Sequence, residues 1–146
     1  MEAGRFGLTR ADRKRVAEAI AAAERETSGE IVVRIVPSAK GPPREHAVRE
    51  FRRLGMGKTR HRTGVLLYLA LRQRAIEILA DSGIHAKAPE GFWDGIVGRL
   101  SKAFKEGYYA DGLCRAVTEA GELLARHFPP RPDDANELPD KPVIGP

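Results

Sequence analysis

The chain has 146 residues, of which 42% are apolar, with a net charge of +5 and an isoelectric point near 9.7. That size and composition fill one buried core and exclude two independent domains, and the single Cys114 excludes both an intramolecular disulfide and a multi-thiolate zinc site. The longest apolar run, Val65–Leu71, falls far short of the ~18–20 residues of a membrane-crossing helix, and a start charged from Glu2 lacks the apolar stretch of a secretion signal. The expectation is a cytoplasmic protein without a membrane span.

Thr9 followed by Asp12 has the spacing of a helix cap, and Val16, Ala17, Ile20, Ala23 and Thr27 recur on one face, predicting a helix over residues 10–27. Ser28-Gly29 reads as its stop, in the manner of a C′ glycine, and the β-branched run Ile31–Val36, ended by Pro37, as the first strand. Pro43 suits the first turn of a second helix carried by Ala47, Val48, Phe51 and Leu54. After a basic loop, Met56–Thr63, the segment Val65–Leu71 is apolar on both faces and reads as a central strand. Arg72-Gln73-Arg74 is short enough for a hairpin loop, so a third strand, Ile76–Ala80, runs back antiparallel, whereas the helical crossover makes the first two strands parallel.

From Pro89 the residues Phe92, Ile96, Val97, Leu100 and Phe104 mark a third helix, interrupted at Gly107. Asp111 is placed as the cap of a last helix that buries Leu113, Val117, Ala120 and Leu124 and ends near Phe128. Cys114 falls in that helical pattern as core packing, and Phe92, Trp93, Tyr108 and Tyr109 read as aromatics that close the core. The expected architecture is a single α/β domain over residues 1–128, a small mixed sheet with helices on both faces. An extended tail rich in proline and acid follows over 129–146.

Several strings occur in one order across nearly the whole chain: TSGEIVVRIV, LGMGKTRHRTGVLLYLALRQRAIEILADSGI, FWDGI, FKEGYYADGL, HFP and NELPD. Together they resemble the soluble bacterial branch of the TPM-domain family. The resemblance implies a compact α/β fold with helices on both faces of a small mixed sheet. It also implies a wide functional range, because some members are linked to photosystem repair and described as acid phosphatases, others bind calcium, and another branch assists an ion-channel receptor. Longer secreted relatives look as if they carry T-G-x-G-L-E after the third strand. Here the segment reads Ala80-Asp81-Ser82-Gly83-Ile84-His85, with His85 in place of the final carboxylate.

Strand direction sorts the candidate chemistry into two places. The parallel strands deliver Pro37-Ser38 and Leu71-Arg72 to one end of the sheet, and the antiparallel third strand returns Asp81-Ser82-Gly83 to the other, beside Thr63-Gly64. That second end gathers His61, Arg62, Thr63, Asp81, Ser82, Gly83 and His85 as a candidate ligand-binding set. Asp81, Asp94 and Asp111 supply hard oxygens of the kind that hold Ca²⁺ or Mg²⁺, against the plainer reading of one turn, one helix start and one cap. His61 and His85 suit acid–base roles and Arg62 a phosphate clamp, yet no P-loop, cysteine–arginine loop or paired metal motif accompanies them.

Basic residues concentrate at Arg52, Arg53, Lys58, Arg60 and Arg62, with Arg72 and Arg74 at the far end of the sheet. No aromatics are interleaved with them, which disfavours a nucleic-acid partner. The tail motif around Asn136, Glu137, Leu138 and Pro139 is more defined than a solvated end requires and is a candidate contact for a protein partner or for the domain itself. Two functional readings follow: a non-catalytic binding or accessory domain that recognises a protein or small anion, and a weak phosphatase dependent on Ca²⁺ or Mg²⁺.

Overall fold

The strands β1 (Glu30–Val36), β2 (Gly64–Ala70) and β3 (Ala75–Ala80) pair as their sequences predict. β1 lies parallel to β2, with Ile31 opposite Val65 and Ile35 opposite Leu69, and β2 lies antiparallel to β3. The structure is a computed structural model that describes residues 8–130 and 143–144. Val143–Ile144 forms a two-residue strand, β4, parallel to β1, so the sheet order is β3-β2-β1-β4. The helices are α1 (Arg10–Arg25), α2 (Pro43–Arg53), the single turn α3 (Ser82–His85), α4 (Phe92–Lys105) and α5 (Tyr109–His127), with a 3₁₀ turn at Met56–Lys58. Among the described residues, no helix is long and apolar enough to cross a membrane.

Successive strand residues point to opposite faces, so each strand feeds two layers. Ile31, Val33 and Ile35, with Val65, Leu67, Leu69 and Ile78, join Val16 and Ile20 of α1, Ile96 and Leu100 of α4, and Leu113, Val117 and Leu124 of α5 in the larger core. Val32, Val36, Leu66 and Ala70 pack on Ala47 of α2 and on Met56 in a smaller one. Helices therefore cover both faces of a mixed sheet, as expected.

The α2 side also carries a polar row. Arg34, Tyr68 and Glu77 are register partners across β1, β2 and β3, and α2 answers each of them. Glu50 accepts from Arg34 Nε at 2.5 Å, and from Arg53 Nε and Nη2 at 2.9 and 2.8 Å. The Tyr68 hydroxyl lies 2.6 Å from His46 Nδ1, and Arg44 Nη1 donates to Glu77 Oε1 at 3.2 Å. The bonds from Arg53 lead in holding the Glu50 carboxyl down at about 2; burial opposes them and Arg34 adds to them.

Four local expectations need correction. α1 ends at Arg25, with Glu26 as its C-cap. Gly29 is not among the left-handed glycines and so is no C′ cap; it lies against α5, where an added β-carbon would stand 2.6 Å from Leu124 Cδ2 and the leucine would have to shift. Asp111 lies in the first turn of α5 rather than at its cap, which is Tyr108, and it pairs with Arg15 of α1 at 2.5 Å. Tyr108 is 59% exposed and closes no core, whereas Phe92, Trp93 and Tyr109, like Cys114, are partly buried against the larger one.

Removing the carboxylate from a buried guanidinium is costly. Glu50→Ala is expected to lower stability by about 3–5 kcal/mol in urea denaturation. Because the folded carboxyl titrates at about 2 instead of 4.5, its contribution is complete above pH 4.5 and is lost as pH falls through about 2. An acid-denaturation curve of Glu50→Gln should lack that component.

Candidate functional site

The end of the sheet where β3 stops and β2 starts is built by two short segments that clasp each other. Thr59 Oγ1 accepts from the Thr63 N–H at 3.1 Å, and the Arg62 N–H donates to the Thr59 carbonyl at 3.3 Å. This tight loop sets Arg62 at φ 58, in the left-handed region, at a cost on the order of 1 kcal/mol. On the other side, the Asp81 N–H donates to the Gly64 carbonyl at 2.9 Å, and Asp81 Oδ1 accepts from the Ser82 N–H at 2.8 Å, which starts α3. The first turn of α3 then docks on the loop, as the Gly83 and Ile84 N–H groups donate to the Arg62 carbonyl at 2.8 and 3.3 Å. A β-carbon on Gly83 would overlap the backbone carbonyls of His61 and Arg62, so only glycine allows this approach.

Across the clasp, Arg62 Nε and Nη2 donate to Asp81 Oδ2 and Oδ1 at 2.9 and 3.2 Å, a two-pronged pair. The Asp81 side chain is 8% exposed and that of Arg62 is 56% exposed. A buried carboxylate thus orients a guanidinium whose outer side meets solvent.

The seven residues of the candidate ligand set do converge on this end of the sheet, in different roles. His61, Arg62, Ser82 and His85 are exposed; Asp81 and Thr63 are buried. Thr63 acts through its backbone, its N–H bound by Thr59 and its carbonyl accepting from the Glu30 N–H at 3.5 Å. The aspartates proposed as metal ligands are not brought together. Asp81 faces Arg62, Asp94 is in the first turn of α4, and Asp111 faces Arg15. Among the described residues, no group of three or more His, Cys, Asp or Glu could hold a metal ion.

Asn136, Glu137, Leu138 and Pro139 lie outside the described residues. At the other end of the sheet, the Arg72 N–H donates to the Pro37 carbonyl at 2.9 Å, and Gln73 bonds to Ser38 and Ala39, so the two loop groups remain apart as strand direction requires. A groove of about 540 Å³ between α4 and α5 is floored by Leu100, Ala103 and Gly112. Asp111 alone of the candidate ligands lines it.

Residues 7–123 match the family model described as the TPM domain. The chain belongs to the TPM-domain family. Among solved structures, this TPM-domain protein is similar to BA42 from the psychrophilic bacterium Bizionia argentinensis, with 34% identity, a TM-score of 0.85, and coverage of 94% of this chain and 95% of that one. It is also similar to the N-terminal domain of a P. gingivalis protein, with 25% identity, a TM-score of 0.69, and coverage of 85% and 82%. The N-terminal domain of a Corynebacterium glutamicum protein shares the fold at 15% identity, with a TM-score of 0.62 and coverage of 80% and 74%. No curated protein matches the sequence. In this TPM domain, position 85, which follows the clasp, carries an exposed imidazole, beside the exposed Arg62 guanidinium and Ser82 hydroxyl.

Pattern reading passed over a second polar assembly, Arg34, His46, Glu50 and Tyr68, under α2. The available signals were Arg34 and Tyr68 interrupting apolar strands, and the helical spacing of His46 and Glu50.

Asp81→Ala removes both the cap of α3 and the orienting partner of Arg62, and should cost about 1–2 kcal/mol in thermal denaturation. Asp81→Asn retains an acceptor for the Ser82 N–H and should recover part of that loss.

Proposed function

We propose that this TPM domain is a non-catalytic binding domain that recognises an anionic group, carried by a protein partner or free as a small anion, at the end of the sheet bearing Arg62. The carrying observation is the clasp itself: Arg62 is held in a left-handed backbone and forked onto a buried Asp81, with its outer side exposed. Such a guanidinium is oriented before a ligand arrives, so less side-chain freedom is lost on binding. His61, Ser82 and His85 add donors around it, and exposed Lys58, Arg60 and Lys87 extend the positive charge along the same segments. Burial pushes the Cys114 thiol up, the reverse of an activated nucleophile.

A second reading, a phosphatase dependent on Ca²⁺ or Mg²⁺, is favoured by the name of the matching family model, TPM phosphatase. In it Asp81 and Asp94 would ligate the cation and Arg62 would clamp phosphate. The donor chemistry fits poorly, because both Asp81 oxygens already accept from Arg62 and a cation would have to displace the guanidinium.

Thermal-shift titrations with inorganic phosphate and with an acidic peptide separate the two readings. Binding to the folded form must raise the melting temperature of the wild type, and Arg62→Gln should abolish the rise. A flat response to both anions overturns the binding reading. Turnover of an aryl phosphate that requires Ca²⁺ or Mg²⁺ and disappears in Asp81→Asn would establish the second.

A further inference from the structure

His46 stands in the first turn of α2 at 5% exposure, and two donors converge on its Nδ1: the Lys40 N–H at 3.2 Å and the Tyr68 hydroxyl at 2.6 Å. A backbone N–H can only donate, so Nδ1 is the lone-pair nitrogen and the ring proton sits on Nε2, 3.9 Å from Glu50 Oε2. Lys40 lies in the loop 37–42 that joins β1 to α2. The loop is also fastened by the Arg72 N–H to the Pro37 carbonyl at 2.9 Å, the Ala39 N–H to Gln73 Oε1 at 3.0 Å, Gln73 Nε2 to Ser38 Oγ at 3.1 Å, Arg49 Nη2 to the Lys40 carbonyl, and the His46 backbone N–H to the Pro42 carbonyl at 3.0 Å. None of those depends on a group that changes charge between about pH 5 and 8, whereas the bond to His46 Nδ1 does.

We propose that His46 is a pH-sensitive latch for the loop 37–42. When Nδ1 takes up a proton, the Tyr68 hydroxyl can turn from donor to acceptor and keep its contact. The Lys40 N–H cannot reverse, and it then faces another N–H. Acid therefore releases the Lys40 N–H from His46, while Arg49 still holds the Lys40 carbonyl and Gln73 still holds Ala39.

The surroundings set the sign. Burial dominates and lowers the pKa of His46; Glu50 on the same helix opposes it, and Arg49, Lys40 and Arg34 of β1 reinforce it. Tyr68 of β2 is a neutral neighbour, and Glu50 is already engaged by Arg34 and Arg53, so it has little to offer a new cation. With the folded imidazole harder to protonate than the unfolded one, stability falls as pH drops below about 6.5. The latch lies at the end of the sheet opposite Arg62, so its test does not depend on anion binding there.

The experiment is an NMR titration of the full chain from pH 7.5 to 5, following the His46 ring and the exchange protection factors of the Lys40 and Ala39 amides. Protection at Lys40 is expected to fall about tenfold, the equivalent of one net hydrogen bond, in step with the ring, while Ala39 holds. His46→Asn puts an amide oxygen where Nδ1 was and should make Lys40 protection independent of pH. Tyr68→Phe removes a partner that serves both ring forms, the charged one more strongly, and should move ring titration and Lys40 release together to lower pH. The latch is refuted if the ring titrates with Lys40 unchanged, if Lys40 loosens alike in wild type and His46→Asn, or if the ring stays neutral until the domain unfolds.

Discussion

One carboxylate organises the face of the sheet that α2 covers. Strand alternation turns Arg34 inward in the middle of β1, where a guanidinium without a counter-charge would be prohibitive. Glu50 meets it from above at 8% side-chain exposure, and Arg53 closes the pair from the solvent side. This fixes α2 about its own axis. With Glu50 over Arg34, His46 one turn earlier lands on Tyr68, and Arg44 reaches Glu77 at the edge strand. The apolar contribution of α2 is small, chiefly Ala47 and partly buried Phe51, and would tolerate several rotations. The polar row admits one, a case of buried polar groups setting register more than adding net stability.

Both loops that flank α2 inherit their positions from that pin. Its first turn supplies the imidazole that receives the Lys40 N–H, and its last turn leads through Gly55 and the 3₁₀ turn to the strained loop that presents Arg62. The two ends of the sheet nevertheless differ in chemistry. At one end the clasp is closed by the ion pair of Arg62 and Asp81. At the other an imidazole receives one of the loop's fastenings, the Lys40 N–H.

Most of the architecture was legible because its signals are local. The β-branched run Ile31–Val36, the doubly apolar Val65–Leu71 and the short connection before Ile76 specify strands, directions and a hairpin without reference to distant residues. The hairpin alone brings Asp81 beside Gly64, so the proximity of Asp81 to the loop at Arg62 was also readable. What was not readable depends on contacts distant in sequence. Gly29 looks like a helix stop until Leu124 is seen against it, and Asp111 looks like a cap until Arg15, 96 residues away, is seen to hold it. The two-residue β4 has too little pattern to announce a strand. The polar row was hidden for a related reason: Arg34 breaks an apolar run visibly, but nothing local says that residues 46 and 50 will lie over it.

The same pin limits how far a change at one end of α2 can travel. Loosening the Lys40 N–H relaxes one fastening of the loop before the helix, and the Glu50 turn, held from both sides by Arg34 and Arg53, lies between that loop and the segment leading to Arg62. As long as Glu50 is ionised, which its carboxyl at about 2 ensures across the physiological range, α2 cannot rotate or slide without breaking a buried ion pair. Protonation of His46 is therefore a local event, confined to the end of the sheet where the parallel strands finish. Coupling to the Arg62 clasp would require disrupting Glu50 first, and that needs acid far stronger than the imidazole does.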